Sequence, residues 1–167
     1  MDKLLQLIPG YSGYKNKEKI RENDRLVREG IYRSLKDSVI VKLNEINRLV
    51  VTYLPNEREL LEIIRRKMDT LAEKIVHAKY GYAPLNSNVK VREKELKRLV
   101  EFDQSLANYV ISLIQHVDYL LYILKSGAYT DPSRHLEIHN ALLKIDWIVD
   151  QLETTLNARE NLFLQVK

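Results

Sequence analysis

Apolar residues recur at steps of three and four along most of the chain, and four stretches hold that period long enough to define helices. The first runs from about Lys17 to Tyr53, with Val27, Ile31, Leu35, Val39, Ile46, Val50 and Tyr53 near one stripe. Pro55-Asn56 breaks it, and Asn56 with Glu59 three residues on reads as a capping box for the second helix. That helix carries Leu60, Ile64, Met68, Leu71, Ile75 and Ala78, and ends near Tyr80-Gly81. The third, from about Arg92 to Ser126, has the seam Leu96, Leu99, Asp103, Leu106, Val110, Leu113, Val117, Leu120 and Leu124. Gly127 stops it. Asp131 as N-cap and Pro132 in the first turn open the fourth, whose seam is Ile138, Leu142, Ile145, Val149, Leu152, Leu156, Arg159 and Phe163.

Short connections predict antiparallel neighbours, hence an all-α, long, up-down-up-down four-helix bundle over residues 17–167, preceded by a Tyr/Lys-rich arm over residues 1–16. The second helix is the shortest, so the first is expected to overhang it or to bend at Gly30. Both termini and the loop between helices two and three then share one end. Tyr11, Tyr14, Lys15, Tyr80 and Tyr82 converge there as a candidate surface for a protein partner. The bland alternative is that the rings plug the end of the bundle.

Composition narrows the function classes. The 167 residues include no Cys, which removes disulfides, thiolate metal sites and thiol nucleophiles, and fits a cytoplasmic protein. The longest apolar stretch, Ser105 to Leu124, contains Asn108, Gln115, His116 and Asp118, so no membrane span is expected. No phosphate-cradling Gly loop, nucleophile elbow, zinc-protease signature or Glu-x-x-His pair is present, so the expectation is a protein without catalysis or cofactor. His135 and His139 stand one turn apart with Glu137 between them, but no third metal ligand is evident, and surface His pairs are common.

The net charge of +4 gathers near the N-terminus, where Lys17, Arg21, Arg25 and Arg28 form a basic stripe that could lie along RNA phosphates. The alternative is a solvated face laced by local pairs such as Asp24 with Arg28. Between Tyr109 and Leu124 twelve of sixteen residues are apolar, and Leu136, Leu143 and Trp147 add an apolar stripe on the fourth helix. A lone bundle does not cover that much surface, so a homo-oligomer is expected. Asp103 and Arg159 interrupt otherwise apolar seams at matching levels of helices three and four, and are expected to meet as a buried ion pair.

The order PGYSGYK (9–15), YGY (80–82), VKV (89–91), EFD (101–103) and Arg159-Glu160 is similar to that of an uncharacterised family of small helical bacterial and archaeal proteins. The departure is Arg92, where members carry an acidic residue. The resemblance implies a small helical protein and no particular activity.

Overall fold

The computed structural model describes residues 2–13, 17–77 and 93–165. Among them there is no strand; the protein is an all-α bundle. A short helix α1 (Asp2–Leu7) precedes α2 (Lys17–Ser34), which runs through a π-helical segment (Leu35–Ile40) into α3 (Val41–Tyr53) as one long rod. The helices α4 (Arg58–His77), α5 (Glu93–Lys125) and α6 (His135–Gln165) follow.

The π segment answers a feature of the sequence. Val27, Ile31, Leu35, Val39 and Leu43 are all buried, at four consecutive steps of four. An α-helix turns 3.6 residues per revolution, so that run would drift off the core; the wider π turn holds it there. A Cβ on Gly30 would lie 3.0 Å from Ile8 Cγ1 and 3.2 Å from the Leu7 carbonyl, so Gly30 lets the N-terminal segment lie against α2. Leu4 and Ile8 are thereby buried in the same core as the long helices, and the first residues are not a separate arm.

The start of α4 differs from the capping box expected at Asn56. Pro55 opens a 3₁₀ turn (Pro55–Glu57) one residue earlier, and Leu54 stands at the cap with no side-chain bond. The buried seam of α4 accordingly opens on Leu61 and not Leu60. The expected stop at Gly127 and start at Asp131 are both present. Gly127 is left-handed at φ 84°, and the Asp131 carboxylate accepts the Ser133 N–H at 2.9 Å. Around this turn Tyr129 stacks on Tyr53, ring centroids 4.2 Å apart.

Polar contacts between helices fix the order around the bundle. Arg65 reaches Asn44, so the α2–α3 rod and α4 form one antiparallel hairpin. Tyr119 donates to Glu137 and Asp103 meets Arg159, so α5 and α6 form the other. Between hairpins the neighbours are parallel. Lys42 and Glu45 meet Asp118 and Lys125, while Glu57, Lys67 and Lys74 meet His139, Asp146 with Asp150, and Glu153. Helices α4 and α5 therefore lie on a diagonal, and the expectation that all consecutive helices are neighbours is corrected there.

Lys67 sits between the two Asp carboxylates at 2.7 Å from each. Partial burial pulls its pKa down, but the hydrogen bonds to Asp146 and Asp150 outweigh that and raise it above the ordinary lysine value. A lysine raised on folding contributes stability that is complete below its unfolded pKa and lost as pH rises through the folded one. Lys67→Met should therefore flatten the alkaline limb of a urea-stability against pH curve. Gly30→Val should cost about 1–3 kcal/mol of unfolding free energy by overpacking against Ile8, and should expose residues 2–13 to protease before the bundle opens.

Candidate functional site

The chain from Pro9 to Gly13 turns twice through left-handed glycines, Gly10 at φ 89° and Gly13 at φ 75°. These turns carry Tyr11 into the end of the bundle. Asn23, on the first turns of α2, clasps the segment in place: its Oδ1 accepts the Ser12 N–H at 3.0 Å and its Nδ2 donates to the Gly13 carbonyl at 2.7 Å. Asn23 is itself buried, so both bonds are shielded from water.

Beneath this clasp lies a network of charges. Arg159, 1% exposed on α6, divides its guanidinium between two carboxylates. Its Nε donates to Asp103 Oδ1 on α5 at 2.6 Å, and its Nη1 to Asp24 Oδ1 on α2 at 2.7 Å. Tyr11 donates its hydroxyl to the other oxygen of Asp103 at 3.0 Å. Arg28 donates to the other oxygen of Asp24. Among the described residues two guanidiniums face two carboxylates, and all four carboxylate oxygens accept a bond. Full pairing is what lets Asp24 and Asp103 persist at 2% and 0% exposure. With its oxygens occupied, the network acts as a clasp joining the N-terminal segment to three helices.

Asp103 and Arg159 meet in a buried ion pair, as the interrupted seams indicate. The guanidinium does not present both prongs to Asp103; it shares them with Asp24. The sequence reading missed Asp24 and Asn23 as core residues, although a signal existed. Stepping back three and four from Val27 lands on both, and a polar residue on a core stripe is the same cue that singled out Asp103.

The other candidate residues divide. Tyr11 is buried with its hydroxyl engaged, so it is a plug of the bundle end and not a contact surface. Tyr14, Lys15, Tyr80, Tyr82 and the side chains of Lys17 and Arg21 lie outside the described residues. In the basic stripe Arg25 is half exposed and pairs with Glu29, whereas Arg28 turns inward onto Asp24. Leu136, Leu143 and Trp147 are exposed on α6. His135 and His139 do not converge. His135 Nε2 lies against the Tyr129 carbonyl, and His139 Nδ1 against Glu57 Oε2 at 2.8 Å. Among the described residues no group of three His, Asp or Glu is placed to hold a metal ion, and no helix is long and apolar enough to cross a membrane.

Comparison with family models, curated proteins and solved structures returns no match. Three of the sequence motifs supply network members: Tyr11 from PGYSGYK, Asp103 from EFD and Arg159 from the Arg-Glu pair.

The charge balance makes a double-mutant cycle informative. Asp103→Leu or Arg159→Met alone leaves an uncompensated buried charge and should cost about 3–5 kcal/mol in urea unfolding. The double variant removes one charge of each sign and should be more stable than either single one.

Proposed function

We propose that the protein is a non-catalytic interaction module, a rigid helical bundle that offers the network end to a protein partner. The carrying observation is the clasp itself. Gly13, the start of α2, the end of α4 and the start of α5 all stand at this end, where the network fixes three helices and the N-terminal turn. The Tyr- and Lys-bearing segments, 14–16 and 78–92, leave from and return to that anchored frame. Rigid anchoring lowers the entropy cost of binding through connecting segments.

An RNA-binding reading through the basic stripe has less support. Arg28 is committed to Asp24 and Arg25 is paired with Glu29, so two of its four charges are already answered. Photocross-linking in an extract of the source cells separates the two readings. Tyr14→Ala/Lys15→Ala and Tyr80→Ala/Tyr82→Ala should each lose the protein captured by the wild type while keeping its helicity. Unchanged capture would sink the end-binding reading. Retention on RNA that collapses between low and moderate salt would favour the stripe instead.

A further inference from the structure

One face of the bundle, formed by α5 and α6, is left uncovered. Tyr122 and Leu136 are 70% and 68% exposed, and Tyr119, Leu143 and Trp147 are close to half exposed. Together they present on the order of 600 Å² of largely apolar surface, at the upper end for a monomer and most of the about 800 Å² that each side of a stable interface contributes. The exposed faces of α2 to α4 are laced with Arg, Lys, Asp and Glu. Midway along α5 and α6, Lys144 rests on the Trp147 ring at 4.0 Å, and Glu137 is held by Arg134 and Tyr119. Aromatic enrichment with charge depletion is the composition of an interface core.

The face also carries both halves of a fit. Trp147 leans over the cleft between the two helices, edge-on to Tyr109 at 6.4 Å. Farther along the same cleft is an open hollow of about 650 Å³, lined by Gln115, His116, Tyr119, Glu137, Asn140 and Ala141. Leu143 stands midway, about 6 Å along α6 from Trp147 in one direction and from the centre of the hollow in the other. A two-fold axis through Leu143, perpendicular to the helices, keeps the lateral position of the cleft and reverses its direction. It therefore seats each Trp147 at the other copy's hollow and brings Leu143 against Leu143. The same operation leaves Lys144 about 7 Å along the helix axis from Glu137 of the second copy, a span the two side chains bridge. Knob, hollow and opposite charges are all satisfied twice by one rotation, the mark of an isologous contact.

We infer that a second copy of this chain covers the α5–α6 face, forming a two-fold dimer centred on Leu143 with Trp147 as its anchor. This face runs along the side of the bundle, so the dimer stands independently of binding at the network end.

Sedimentation equilibrium on the full chain at about 100 µM should give twice the 19.7 kDa chain mass. Trp147→Glu, and Asn140→Trp filling the hollow, should each weaken the dimer by at least about 30-fold while leaving helicity unchanged. Because the chain has no Cys, a single introduced thiol reports geometry. Leu143→Cys should oxidise to a covalent dimer, since only residues at the axis bring their Cα atoms within about 7 Å; Leu136→Cys, although more accessible, should not. A monomer at that concentration, a dimer indifferent to Trp147→Glu, or faster linkage through Leu136→Cys would each overturn the proposal. The first result would leave the face to a different protein.

Discussion

A guanidinium in an apolar interior has to be answered on every side, and the way Arg159 is answered sets the end of this bundle. Its two carboxylates come from different hairpins, Asp103 from α5 and Asp24 from α2. Docking the hairpins one turn out of register would strand at least one of these charges in hydrocarbon, at a cost of several kcal/mol. Apolar seams of Leu, Ile and Val tolerate such slips far better, because one aliphatic contact resembles the next. The ion network thus specifies alignment, while the long hydrophobic core supplies most of the stability.

The constraint extends outward from Arg159. Asp103 orients Tyr11, and Tyr11 belongs to the segment whose following backbone Asn23 holds through Ser12 and Gly13. Upstream, the same segment presses Ile8 against the bare backbone of Gly30. A chain start with only a six-residue helix of its own, too short to stand alone in water, is thereby part of the core.

Most of the fold was legible because periodicity and breakers are local properties. The four rods, the Gly127 stop and the Asp131 cap follow from patterns within a few residues. What escaped depends on tertiary contact. Asn56 has the chemistry of a cap, yet Pro55 starts the turn before it. Gly30 reads as a weak point in a helix until Ile8 is seen lying on it. The diagonal placing of α4 and α5 cannot follow from the length of the connection, since antiparallel direction alone suits a neighbour or a diagonal. At the candidate site, Asp103 and Arg159 were legible because each breaks a clean seam. Asp24 was read as a local partner of Arg28, which it is, but its second oxygen serves a residue 135 positions away.

The diagonal has a consequence for how the chain assembles. Each hairpin joins segments close in sequence, so each can collapse through short loops with little entropy to overcome. Contacts between hairpins join residues about eighty apart, as in Lys67 with Asp146 and Lys74 with Glu153. Most of the cross-hairpin pairs set bases of the first hairpin, Lys42, Lys67 and Lys74, against acids of the second, Asp118, Asp146, Asp150 and Glu153. Opposite charge on the two halves guides their encounter over a Debye length of about 10 Å, before any apolar surface touches. The protein is in this sense a complex of two helical hairpins that share one chain, mutually attracted at a distance and locked in register when Arg159 finds both of its carboxylates.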